Sequence, residues 1–236
     1  MHKMIPWASP KLFNLEKKLV LQALKSNWIS GGHYIGKLES SLKKYLKTKH
    51  ASLVSNGTSA LHLAFLACDL KRNDEILIPA FGYLAAANIA ALMGLRIKFV
   101  DVNKDTFCMD LENLKKKITK NTKAVVTINT YGNMYELRKI SNFLKKKKII
   151  FIEDSAESFG SKLNNKHSGT FGDIGTFSFH ATKNLTTGEG GLVITNNKKF
   201  AKKIELYRSH GVLKKRYFHL VHGHNFRLTN FQAALG

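Results

Sequence analysis

The chain is poor in cysteine, proline, tryptophan and acid. Its 236 residues include two Cys, three Pro and two Trp, and 16 Asp and Glu stand against 38 Lys and Arg. Cys68 and Cys108 form no CxxC pair and no disulfide framework, so the fold must rest on a hydrophobic core. A reduced, cytoplasmic setting is the simplest expectation. No Pro- or Gly-rich linker divides the chain, and there is neither an internal repeat nor a low-complexity tract. No GxGxxG follows an apolar run and no GxxxxGK[ST] occurs, which excludes the dinucleotide fingerprint and the P-loop. The opening MHKMIPWASPKLF has no apolar core and does not read as a signal peptide.

One uncharged run, residues 76–95 (ILIPAFGYLAAANIAALMGL), is long enough to span a bilayer. Pro79 and Gly82 interrupt it. It reads instead as a short buried strand, a turn and an Ala-rich buried helix, and no membrane partner is expected. The scarcity of acid leaves a formal net charge of +22. Such a balance can attract nucleic acid or anionic ligands. Here the lysines lie in tracts such as KKKIT and LKKKKII, with few arginines and no interleaved aromatics. They read as solvated surface, and no nucleic-acid partner is expected.

What is present is alternation. Short Val-, Ile- and Phe-rich runs occur at ASLVS, EILIP, IKFVD, AVVTIN, IIFIED, GTFSFH and GLVITN. Helix-like segments separate the earlier ones: SALHLAFLACDL, LAAANIAALMG, DLENLKKKI and ELRKISNFLKKK. Runs this short and apolar suit strands buried on both faces. The alternation predicts an α/β fold with a mostly parallel sheet flanked by helices. The last two runs are joined by a tight Gly-rich loop, so that corner need not be parallel. Ligands in such sheets bind in the loops after the strand carboxyl ends.

Three of those loops carry chemistry. After ASLVS, the stretch NGTSALHLA offers a tight turn and a helix start. Gly57, Thr58 and Ser59 there present free N–H groups and hydroxyls suited to a phosphate, although an ordinary capped turn has the same look. After IIFIED, Asp154 ends a buried strand, where a carboxylate is costly unless it meets a cation. It reads either as a cap or as the counter-ion of a protonated ring nitrogen. After GTFSFH, Lys183 follows Ser178 by five residues, and a lysine presented in a concave site can attack an aldehyde. A phosphate cradle, an acid for a ring nitrogen and a lysine for a Schiff base are the set that pyridoxal phosphate requires.

These residues carry a resemblance. From IPWASPKL to TNFQAALG the chain resembles the DegT/DnrJ/EryC1/StrS sugar aminotransferase family. Those are enzymes of the aspartate-aminotransferase fold (type I) that use pyridoxal phosphate to aminate nucleotide-linked keto sugars. The densest matches are SNGTSALHLA, PAFGYLAAAN, EDSAESFGS, GTFGDIGTFSFHATKNLTTGEGG and GHNFRLTNFQAALG. The resemblance implies that Lys183 is catalytic and bonds the cofactor. It implies further that Asp154 pairs with the pyridine nitrogen and Tyr83 stacks on the ring. Gly57, Thr58, Ser59 and Ser178 would hold the phosphate. Glu157 stands where Gln or His is common and would contact the cofactor's hydroxyl side; Glu occurs there in perosamine-synthase-like members. Asn225 matches a residue that reaches the phosphate of a neighbouring subunit, which implies a homodimer with shared active sites.

Trp28, His219 and Arg227 are candidates for substrate contact. SNWISGG, Glu157 and RYFH (residues 216–219) lean toward a 4-keto-6-deoxyhexose on a nucleotide, with glutamate as amino donor. Surface-polysaccharide biosynthesis is the implied setting. His224 and Asn129 depart from the family pattern, which usually has an aromatic and a His at those positions, and could alter substrate contacts. His219, His222 and His224 have no acidic or Cys ligand beside them, and no metal is expected. The family's sequences continue into a small C-terminal domain. Residues 1–236 are therefore expected to be the cofactor-binding large domain, truncated before it, and an inactive truncated protein is one alternative. A dehydratase of the same family is another; those members carry His where this chain has Lys183.

Overall fold

The computed structural model describes residues 4–6, 8–213 and 217–236. Two helices that the sequence reading does not anticipate come first, α1 (Asn14–Lys25) and α2 (His33–Leu46). The expected alternation follows: β1 (His50–Val54), α3 (Gly57–Ala67), β2 (Glu75–Pro79), α4 (Ala85–Leu92), β3 (Arg96–Val100), α5 (Leu111–Lys117) and β4 (Thr122–Ile128). A 3-10 turn (Thr130–Gly132), α6 (Leu137–Lys147) and β5 (Ile150–Asp154) come next, then a small hairpin of β6 (Lys162–Leu163) and β7 (Lys166–His167). The chain continues through β8 (Ile174–Ser178), β9 (Gly191–Thr195), α7 (Lys198–Arg208) and α8 (Asn230–Leu235).

The main sheet has seven strands in the order β1-β9-β8-β5-β4-β2-β3. From β3 to β8 every pair is parallel, and β9 runs antiparallel to both β8 and β1. The loop between β8 and β9 contains no helix, and without a crossover the chain can only turn back. β1 consequently points the same way as β8. The carboxyl ends of β1, β5 and β8 and the start of β9 therefore meet at one edge of the sheet.

Side chains alternate between two layers. Ile76, Ile78, Ala124, Val126, Ile152, Ile174 and Val193 pack with α3 and α4 on one face. Their neighbours turn to the other face, where Leu77, Val125 and Phe151 meet α5 and α6, and Phe177, Leu192 and Ile194 meet α2 and α8. Burial on both faces explains why the strand sequences read as continuous apolar runs. Residues 76–95 form β2, a turn and α4 as expected. Among the described residues no helix is long and apolar enough to cross a membrane.

Candidate active site

A cavity of about 490 Å3 opens at the edge where β1, β5 and β8 end. Its wall includes Gly57, Thr58, Tyr83, Asp154, Glu157, Ser178 and Lys183, residues scattered over more than half the chain. Gly57 allows two of the walls to touch: a Cβ on Gly57 would lie 2.9 Å from Ser178 Cβ. The N-terminus of α3 thereby abuts the end of β8. Asn56 caps the helix, its Oδ1 accepting the Ser59 N–H at 2.8 Å. The Gly57 and Thr58 N–H groups precede the helix's own bonding ladder and sit at its positive dipole end.

Asp154 is the last residue of β5 and shares the strand face of Ile152, which turns it toward α3 and the cavity. It is 4 % exposed. Oδ1 accepts the Ala156 N–H at 3.1 Å, and Oδ2 has no hydrogen bond among the described residues. Burial pushes the carboxyl pKa up to about 6, Glu157 adds to the rise, and the Ala156 N–H and the Lys183 ammonium oppose it. A buried carboxylate with one hydrogen bond is incomplete until a cation meets it.

Lys183 lies in the β8–β9 loop, its N–H donating to the His180 carbonyl at 2.9 Å. Its Nζ is 3.8 Å from Glu157 Oε1. The other oxygen of Glu157 accepts the Tyr131 N–H at 2.9 Å. Tyr131 holds a left-handed conformation with φ of 54°, which a non-glycine residue adopts only when its surroundings hold it there. Glu157 thus ties the lysine to the turn after β4. Tyr83, 78 % exposed, forms the open rim.

The remaining candidates lie off this wall. Ser59 is buried, with its hydroxyl 3.0 Å from that of Ser55. Asn225 is exposed and accepts from Arg227 Nε at 3.0 Å. Trp28 stands on the surface, its carbonyl held by the Asn230 amide at 2.7 Å. His219 lies 2.6 Å from the His210 carbonyl and shares a separate hollow with His222. Arg216 lies outside the described residues.

The two departures from the family pattern prove to be packing residues. Asn129 is buried, and its amide donates to Ser155 Oγ at 3.0 Å and to Glu153 Oε2 at 3.5 Å. His224 stacks on Phe226 at 4.6 Å between ring centres, 4.9 Å from His62. Neither lines this cavity. The sequence reading misses His180, Glu189 and Ile128 on the wall. His180 Nδ1 lies 2.9 Å from Thr182 Oγ1, and its Nε2 lies 3.6 Å from Glu189 Oε1. The motif places His180 two residues past Ser178 on an alternating strand, a signal too general to single it out.

The donor set fits pyridoxal phosphate. The helix N-terminus and the Thr58 and Ser178 hydroxyls suit the phosphate, Asp154 has a free carboxylate oxygen and no close ion pair among the described residues, and Lys183 stands in the same cavity. Fold and site together match the fold type I architecture of pyridoxal-phosphate-dependent enzymes.

Comparison with known proteins gives the family. The model of the DegT/DnrJ/EryC1/StrS aminotransferase family matches residues 10–236, and the chain belongs to that family. GDP-perosamine synthase of Escherichia coli O157:H7 is 41 % identical over 236 residues, covering 99 % of this chain and 65 % of the relative. Helicobacter pylori PseC, an aminotransferase involved in pseudoaminic acid biosynthesis, superposes with a TM-score of 0.93 at 35 % identity over 99 % of this chain and 64 % of that one. A GDP-4-keto-6-deoxymannose-3-dehydratase holding a trapped PLP-glutamate geminal diamine superposes with a TM-score of 0.93 at 32 % identity, over 98 % of this chain and 66 % of that one. The chain spans less than two thirds of the length of these curated relatives.

Proposed function

We propose that this chain is the cofactor-binding large domain of an aminotransferase that converts a nucleotide-linked keto sugar, a 4-keto-6-deoxyhexose, to its amino sugar. Glutamate serves as amino donor, and the setting is surface-polysaccharide biosynthesis in the cytoplasm. The convergence of Asp154, Lys183 and the α3 N-terminus on one cavity carries the reading. The similarity to perosamine synthase and PseC supports the substrate class. Pyridoxal phosphate supplies an electron sink when bound. The Gly57 and Thr58 N–H groups and the Thr58 and Ser178 hydroxyls hold its phosphate. Asp154 keeps the ring nitrogen protonated, and Tyr83 covers the ring. Lys183 Nζ takes the proton from the donor's α-carbon and later returns one to the acceptor, as general base and acid. Asn225, exposed and off its own cavity wall, is assigned to the site of a second copy in a homodimer.

A dehydratase reading is weaker. Those members carry His where this chain has Lys183, and loss of the lysine is what distinguishes them. Borohydride reduction of the cofactor-loaded chain followed by peptide mapping tests the assignment. The reduced cofactor is expected on Lys183 and absent from Lys183→Ala. Label on another lysine overturns it.

A further inference from the structure

A separate hollow lies at the other end of the sheet. It encloses about 580 Å3 at the amino end of β5, between the last turn of α6, the β7 strand and the start of α7. Three lysines line it, Lys145, Lys148 and Lys166, and none has an acidic partner among the described residues. The one carboxylate on its wall, Asp173, already accepts the Phe151 N–H at 2.9 Å.

Several features aim positive charge into this space. Lys166 Nζ sits 4.4 Å above the ring of Phe171, a contact that limits its freedom. Lys148 takes the left-handed position that ends α6, with φ of 57°. Asn197, also on the wall, caps α7, whose first turn carries Lys198 and Lys199 and no acid. A helix start normally favours acidic residues. Here the exposed Lys198 and Lys199 add to the positive end of the dipole, which favours an anion beside it. Phe200 and Ile150 supply an apolar wall beside the charges.

We propose that this hollow is a second binding site that takes an anion bearing a diphosphate. Three lysines on one wall carry more charge than a single small anion balances, which suits two linked phosphates, and the volume is large enough for a nucleoside attached to them. The site is remote from Lys183 and does not depend on the aminotransferase reading. A diphosphate could reach it as inorganic pyrophosphate or as part of a nucleotide.

Equilibrium dialysis of labelled pyrophosphate against the cofactor-saturated chain tests this, since saturation occupies the phosphate cradle at α3. At about 0.15 M salt, where diffuse attraction is screened beyond about 8 Å, one saturable site is expected. Combined Lys145→Gln, Lys148→Gln and Lys166→Gln should weaken it by about tenfold or more, because charge-assisted contacts are the strong ones. Combined Lys115→Gln, Lys116→Gln and Lys117→Gln, in the exposed last turn of α5, should leave it within about twofold. GDP binding at least tenfold tighter than pyrophosphate would assign a nucleotide, and equal binding the inorganic anion; either outcome supports a diphosphate site. Absence of saturable binding, or equal loss in the α5 variant, overturns it. The comparison repeated in Lys183→Ala should give the same result, which separates its failure from failure of the catalytic assignment.

Discussion

Lys183 Nζ and Glu157 Oε1 lie 3.8 Å apart, while the second oxygen of the same carboxylate holds the Tyr131 N–H. The lysine's surroundings are thus set partly by the turn after β4. Both partners are about a quarter exposed, so the pair contributes at most about 1 kcal/mol to stability. Glu157→Gln preserves the acceptor for Tyr131 and removes the charge. Turnover is expected to fall by about tenfold with a change in unfolding free energy below about 1 kcal/mol. Parallel urea titrations and steady-state assays check this. A variant that unfolds easily but turns over normally would reverse the assignment.

Asp154 separates stability from function. Its folded pKa is raised to about 6, against about 3.9 in the unfolded chain. Between those values the folded state binds more protons than the unfolded one, so the cofactor-free chain loses stability as pH rises through that window. The loss amounts to at most about 3 kcal/mol. Asp154→Asn should flatten this part of the pH profile, leaving the cofactor-free variant more stable than the parent at pH 7. Its turnover should fall far more than its cofactor affinity, because an amide cannot hold a pyridinium proton by charge. Near-normal turnover would remove Asp154 from its assigned role.

Glu153, next on the same strand, faces the opposite layer. It is fully buried, and its carboxylate accepts N–H groups from Gly169, Phe171 and Gly172. Burial pushes its pKa up to about 7, yet every neighbouring group is a donor, an arrangement made for the ionised form. Glu153→Gln would aim an NH2 at those donors. A loss of about 2–4 kcal/mol is expected in chemical denaturation. A change within about 0.5 kcal/mol would show that the carboxyl is neutral and the loop held by other contacts.

Gly57 sets the distance between α3 and Ser178. Gly57→Ala places a methyl 2.9 Å from Ser178 Cβ, so one wall must shift. The expected cost is about 1–3 kcal/mol of stability. Cofactor titration by absorbance should show affinity reduced by at least about tenfold, the phosphate donors having moved apart. Unchanged affinity would place the phosphate elsewhere.

Much of the fold was legible because each parallel strand is buried on both faces and leaves an unbroken apolar run. The helices α3 to α6 were legible from the same alternation. The first two helices were not anticipated: α1 buries only Ala23 and leaves Leu15, Leu21 and Leu24 exposed, whereas α2 buries the regular stripe Tyr34, Leu38, Leu42 and Leu46 and was missed all the same. Asp154, Lys183 and the NGTS turn stood out because each polar group interrupts or follows an apolar strand. Ser59 sits in the same motif, and what the sequence does not reveal is that its hydroxyl lies 3.0 Å from that of Ser55.

By itself, then, the sequence determined the strand–helix alternation and the residue types after each strand, because local pattern and burial are written in neighbouring residues. Only the tertiary structure decided which of those residues share a cavity. Consecutive Glu153 and Asp154 look equivalent in the chain, and the strand's two-residue period sends one to a backbone clamp and the other to the site. The antiparallel entry of β9 brings the end of β1 alongside the end of β8. That places Gly57 against Ser178, a contact across more than a hundred residues that no local pattern encodes.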